Sequence, residues 1–132
     1  MSTLIRSTID ANLAASKALP AAGAAASSAS FNIGTSVPET FQAQILAPAT
    51  TALVDTKTIT YVFEDSADNT TFAAIAELAS LVQTGAGGTG AAAATRTVYF
   101  PPSVRQYVRV TATVLAAGGD STAKSFVFQL LF

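Results

Sequence analysis

From residue 31 onward the chain alternates apolar and polar positions with a period of two. Ile59, Tyr61 and Phe63 alternate with Thr58, Thr60 and Glu64, and Val108, Val110, Ala112 and Val114 alternate with Tyr107, Arg109, Thr111 and Thr113. Successive side chains of a strand point to opposite faces, so this pattern predicts half-buried strands. Phe41, Ala43 and Ile45 repeat it against Gln42 and Gln44. The stretch SFVFQLLF sets Phe126, Phe128, Leu130 and Phe132 on one face and Val127, Gln129 and Leu131 on the other. A strand apolar on nearly both faces is expected at the centre of a sheet or against another subunit. Pro38, Pro48, Pro101 and Pro102 fall between the runs, where a missing amide donor does no harm, and TGAGGTGAAAAT and AAGGDS read as flexible loops. The expected strands lie near residues 31–34, 41–46, 57–64, 71–76, 95–100, 105–115 and 125–132. Short strands at this spacing predict an all-β chain, an antiparallel β-sandwich or jelly roll. FAAIAELASLV is ambiguous, since Phe72, Ile75, Leu78 and Val82 fit a helical face as well as a strand.

Residues 1–30 differ from the rest. LAASKALPAAGAAASSAS is a tract of small residues interrupted by Pro20 and Gly23, with little to bury. The sequence therefore divides into an extended Ala/Ser-rich arm, 1–30, and a sandwich domain, 31–132. Such an arm is expected to order against a neighbour. Ile5, Ile9 and Leu13 recur every four residues and Arg6 can pair with Asp10, so a short helix over 4–18 is the alternative to an extended segment.

Composition narrows the chemistry. At 132 residues the chain is long enough to bury one real core, although much of its 50% hydrophobic content is alanine. The core must then be carried by eight Phe, three Tyr and the branched aliphatics. Charged residues make up 11%, against roughly 25% in ordinary soluble domains, and the net charge is −1. So little charge does not hold copies apart, which suits a protein that lives bound to something. Seven scattered basic residues make nucleic acid an unexpected partner. With no Cys and no His, thiolate nucleophiles, Cys/His zinc sites and Ser/His or Cys/His pairs are all excluded. Met1 to Asp10 shows no secretory h-region, and no apolar run approaches the length of a membrane span.

Three stretches invite a chemical reading. EDSADNTTF gathers Glu64, Asp65 and Asp68 and offers hard oxygens for Ca²⁺ from Asp65, Asp68 and Asn69, but it lacks the alternate carboxylates, glycine and closing Glu of an EF-hand-like loop. The competing reading is a strand-to-strand loop whose Asp and Asn bond their own backbone, with Asn69 tolerating positive φ. TGAGGTG lacks the Lys-Ser/Thr ending of a phosphate loop and opens onto a strand. Nothing local marks a glycosidase pair of carboxylates, and without Trp there is no such platform for a sugar. No enzymatic activity and no cofactor are expected. PPSVRQYVRV places Arg105, Tyr107 and Arg109 on one face, two planar donors around an aromatic, which reads either as an interface or as a solvated face with Tyr107 between Arg stems.

The order of these segments resembles that of a known group. An Ala-rich arm ending in Leu19-Pro20, the short FNIGT, then TITYVFEDSADNTTF, a Gly/Ala loop, TRTVYFPPSVRQYVRVTATV and a closing hydrophobic strand resemble the small cement, or decoration, proteins on the capsids of tailed double-stranded DNA bacteriophages. The likeness covers residues 19–132. It implies a β-sandwich or jelly roll that stands as a homodimer or homotrimer on the exterior of the virion, made in the host cytoplasm, clamping neighbouring major capsid subunits, with no membrane and no nucleic acid as partner. The contacts are then expected from Leu4, Ile5, Ile9, Leu13 and Leu19 of the arm, from Arg105, Tyr107 and Arg109, and from Phe126, Phe128 and Phe132. Two other functions use the same scaffold. A carbohydrate- or host-surface-binding module would display aromatic platforms, and a pilin-like or fibre subunit would donate a strand.

Overall fold

The computed structural model describes residues 9–34 and 42–131, with the backbone alone for residues 9–12. Among the described residues ten strands follow one another: β1 (Ile9–Ala18), β2 (Ala25–Ser27), β3 (Phe31–Asn32), β4 (Gln42–Ala47), β5 (Thr58–Ser66), β6 (Ala73–Ala74), β7 (Leu81–Thr84), β8 (Ala94–Tyr99), β9 (Tyr107–Val114) and β10 (Ser125–Leu131). The first sheet has the order β1-β10-β4-β8. In the second, β9 and β5 lie side by side, β2 and β3 line the free edge of β9, and β6 and β7 line that of β5. Every strand pairing is antiparallel. The all-β, antiparallel fold is the one the alternation predicts, and there is no helix among the described residues.

The period-two pattern decides which face is buried. Ile59, Tyr61 and Phe63 of β5 and Val108, Val110, Ala112 and Val114 of β9 point inward, as do Ala43, Ile45 and Ala47 of β4 and Phe126, Phe128 and Leu130 of β10. The layers meet through aromatic rings: Tyr61 lies 5.5 Å from Phe126, edge on, and Phe128 packs against both Phe31 at 5.3 Å and Phe63 at 6.3 Å. Burying a large apolar side chain stabilises by about 1.5–3 kcal/mol, and aromatic pairs in these geometries add to that, so Phe31, Tyr61, Phe63, Phe126 and Phe128 anchor the core of this alanine-rich chain.

The boundaries depart from expectation in two places. FAAIAELASLV is neither a helix nor one strand. Ile75 donates its N–H to the Phe63 carbonyl and Leu78 turns back onto the Ile75 carbonyl, so the segment divides into two-residue β6, a turn, and β7, which the pattern did not predict. Within the segment expected as an arm, β1 pairs with β10 and β2 with β9. Over 9–18 the extended alternative is the one seen. The physical reason is the nature of β10, which lies centrally between β1 and β4 and needs hydrogen-bond partners on both sides. Alanine and serine suffice for a strand whose main task is backbone pairing, while Leu13 and Ala15 pack against the core and Leu19 enters it. Leu4, Ile5, Phe41 and Phe132 lie outside the described residues.

Strands from the two halves of the chain pair in nested fashion: β1 with β10, β2 and β3 with β9, β4 with β8, and β5 with β6 and β7. Consequently the loops collect at two ends. The loop after β5 and the β8–β9 connection stand at one end, and loops 19–24, 48–57, 85–93 and 115–124 stand at the other.

Candidate functional site

The first end is built on the acids of EDSADNTTF. Consecutive residues of a strand face opposite ways, and β5 delivers Glu64 to the outer face and Asp65 to the buried register. Each meets an arginine from the β9 segment. Asp65 is 7% exposed and its carboxylate accepts from the Arg105 backbone N–H at 3.0 Å, from Nε at 2.9 Å and from Nη2 at 2.7 Å, while Nη2 also reaches the Asp65 carbonyl at 2.9 Å. Glu64 Oε1 accepts from Arg109 Nε at 2.8 Å and from Thr111 Oγ1 at 2.6 Å. The Arg109 guanidinium also lies over the Phe72 ring, 3.9 Å from its centroid, a cation–π contact.

The loop that follows closes on itself. Asp68 Oδ1 accepts from Ser66 Oγ at 2.8 Å and from the backbone N–H groups of Thr70 at 2.9 Å and Thr71 at 3.0 Å. The N–H of Thr71, then that of Thr70 and the Ser66 hydroxyl, favour the charged form and hold the Asp68 carboxyl down at about 2. Asn69 takes a positive φ of 61° and accepts a 2.6 Å hydrogen bond from Ser30 Oγ. Glu64 and Asp65 thus point to opposite sides of a strand, each toward an arginine, and Asp68 serves its own loop. Among the described residues no group of three or more acids forms a metal site.

The other end is held by backbone. Gly85 and Gly90, in the stretch expected to be flexible, are seated against loop 48–57: a Cβ on Gly85 would run into the Val54 carbonyl oxygen and one on Gly90 into that of Thr50. Thr50 and Ala91 exchange both hydrogen bonds, Thr56 N–H reaches the Gly85 carbonyl, and Gly88 N–H donates to Asp55 Oδ1 at 2.9 Å. A carboxylate therefore occupies a backbone donor of the loop that a phosphate reading would need. Beneath these loops Gln83, 3% exposed, donates to the Pro48 and Ala92 carbonyls at 2.8 and 2.9 Å and accepts from the Tyr61 hydroxyl at 2.8 Å. Burial pushes the Tyr61 phenol well above its usual range.

The predicted contact residues are dispersed. Phe126 and Phe128 are 0% exposed and Leu19 is 2%, so the fold spends all three on its core, and Leu13 packs against it. Phe126 and Phe128 thus belong to the core and not to a contact surface, because the inward register of β10 faces the second sheet. Ile9 pairs through its backbone with Leu131. Arg105 precedes β9 and Arg109 lies within it, each guanidinium paired with an acid of β5, and Tyr107 between them is half-buried. The outer face of the first sheet went unmarked by the sequence. There Gln129 Nε2 donates to Gln44 Oε1 at 2.6 Å and Gln44 Nε2 to Thr97 Oγ1 at 3.0 Å, beside Tyr99 at 56% exposure. Its only signal was the run of uncharged polar residues at alternate positions of β4 and β8.

The chain matches no model in a scan of protein families and no protein in a search of curated sequences.

Proposed function

We propose that this chain is a capsid cement protein, which binds the outside of a tailed-phage head, bridges neighbouring major capsid subunits and meets copies of itself as a dimer or trimer. One observation supports the reading above others. The two stretches on which the family resemblance rests, TITYVFEDSADNTTF and the PPSVRQYVRVTATV part of the later one, form the adjacent strands β5 and β9 and are locked together by the Asp65–Arg105 and Glu64–Arg109 pairs. The nested pairing of the strands supports the jelly-roll form of the sandwich. In this reading the ion-paired end, with Tyr107 and the partly exposed Arg105, faces a neighbour. Stabilisation follows from linkage: a protein that binds only the assembled shell favours that state, and many identical contacts on a lattice add through avidity. No cofactor takes part.

The test is binding to purified shells stripped of decoration. Saturable occupancy at regular lattice positions by electron microscopy, with a rise in the shell's melting temperature, is expected. Shells that stay bare at saturating protein would overturn the reading.

A further inference from the structure

An edge strand offers unpaired N–H and C=O groups to any chain that can lie beside it, so edges are commonly short, bulged or charged. Three of the four edges here follow that rule. On the second sheet each edge is split into short pieces, β2 with β3 and β6 with β7, of two to four residues. On the first sheet β1 is irregular between Ile9 and Ala14 and carries the exposed Lys17. The fourth edge, β8, is different. It is six residues long, pairs with β4 without interruption from Ala94 to Tyr99, and contains neither proline nor lysine. Among the described residues no backbone group beyond β4 bonds to it. Its outward side chains, Thr95, Thr97 and Tyr99, are uncharged and exposed, Tyr99 at 56%.

We infer that the open edge of β8 is where two copies of this chain join, antiparallel and about a two-fold axis, so that the first sheets of both copies form one sheet of eight strands. The occupant is a second copy because the strand is complementary to itself. Centring the pair on Thr97 sets Thr97 against Thr97, Thr95 against Tyr99 and Arg96 against Val98, every outward residue facing an uncharged one. Aromatic against β-branched is a favourable cross-strand pair. Arg96 is the single charge on the strand, and this register keeps it from meeting its own counterpart. Such an interface is isologous and closes at two copies. The inference deepens the self-association part of the function proposed above and does not depend on the shell.

The mass of the purified protein in solution tests it, by light scattering or sedimentation. Wild type is expected at twice the 13.4 kDa of the chain. Thr97→Lys alone and Thr97→Glu alone are each expected at the mass of one chain, because the substituted residue meets its own like charge, and an equimolar mixture is expected to return to the double mass. Thr113→Lys, on the exposed outer face of the second sheet, keeps the wild-type mass and controls for added charge. Circular dichroism confirms that each variant is folded. A wild type that is monomeric or trimeric, single variants that stay dimeric, or a mixture that stays monomeric would each overturn the β8 pairing, while leaving shell binding to be decided by its own assay.

Discussion

The two ends of the sandwich are held by different means. At the end of EDSADNTTF the chain is fastened by side chains, through Asp65–Arg105, Glu64–Arg109 and the Asp68 cap. At the glycine end it is fastened mainly by main chain against main chain, with Gly85 and Gly90 admitting carbonyls where any side chain would collide. The contrast teaches that a low-charge protein can still be electrostatically organised, since four of its few charges are gathered in two pairs across one pair of strands. It also teaches that a glycine-rich loop is not thereby loose. Removing the side chains lets the backbones approach closely enough to bond.

The largest effect that separates the ends is expected from Gly90→Ala. Gly90 has a φ of +73° and its absent Cβ would overlap the Thr50 carbonyl, so both strain and displacement of backbone oppose the change. A loss of about 3–5 kcal/mol is expected in chemical denaturation followed by circular dichroism. Gly87→Ala sharpens the point. Its φ is a similar +63°, but nothing lies within 4 Å, so only the conformational cost of about 1–2 kcal/mol remains. Equal losses for the two variants would mean that the close approach at Gly90 is not what matters.

Asp65→Ala strikes the other end. Breaking a fully buried pair by removing one partner costs about 3–5 kcal/mol, but the Arg105 side chain is 42% exposed and water can take over part of its charge. About 2 kcal/mol is therefore expected, measured in the same way. Glu64→Ala should lose less, about 1 kcal/mol, because the Arg109 guanidinium keeps its contact with Phe72. If Asp65→Ala were neutral, the end would owe its order to backbone after all.

Legibility in the sequence divides along the same line. The strands that face a core on one side only, β4, β5 and β9, announce themselves by alternation, because burial acts on side chains and side chains are what a sequence records. The acids and arginines of the first end were visible as candidates for the same reason, and Asn69 was read correctly as a residue able to take positive φ. Their pairing was not visible, since Asp65 and Arg105 are forty positions apart and meet only when β5 and β9 lie together. β1 and β2 were hidden because alanine and serine leave no hydrophobic period, although their backbones pair as well as any. The seating of Gly85 and Gly90 was hidden because a glycine that admits a carbonyl and one that merely loosens a loop are the same letter. Of the two expectations for the doubly apolar β10, a central place in a sheet or a contact with another subunit, the first is seen, and Phe126 and Phe128 are spent on the core.

A smaller effect, and a gain, is expected at Thr56. This residue stands at the glycine end with a φ of +69°, a region that a β-branched side chain occupies at a cost. Its N–H bond to the Gly85 carbonyl is made by backbone and survives substitution. Thr56→Gly is therefore expected to stabilise by about 0.5–1 kcal/mol, the relief of strain exceeding the added freedom of the unfolded chain. The same substitution at Thr60, in the middle of β5, relieves nothing and should destabilise by a similar amount. A loss at Thr56 equal to that at Thr60 would show that the turn does not hold the residue in the left-handed region.

The smallest difference is one of pH. Asp68 at the ion-paired end is held at about 2, below its ordinary 3.8, by the N–H groups of Thr71 and Thr70 and by Ser66. A depressed carboxyl contributes stability that is fully present above its unfolded value and is lost as pH falls through the folded one, so the contribution should be intact above about pH 4 and decline toward pH 2. Asp120, at the glycine end, is lowered as well by the Thr122 hydroxyl and N–H, so the melting temperature reports both ends together. Asp68→Asn separates them. It keeps an oxygen acceptor for the loop but cannot titrate, and the decline between pH 4 and pH 2 should become shallower while the melting temperature at pH 7 changes little. Carboxyl carbon shifts followed by NMR would read the group directly. A midpoint for Asp68 near 3.8 would mean that the two N–H groups do not close on it in solution, and the side-chain wiring of that end would then rest on its arginines alone.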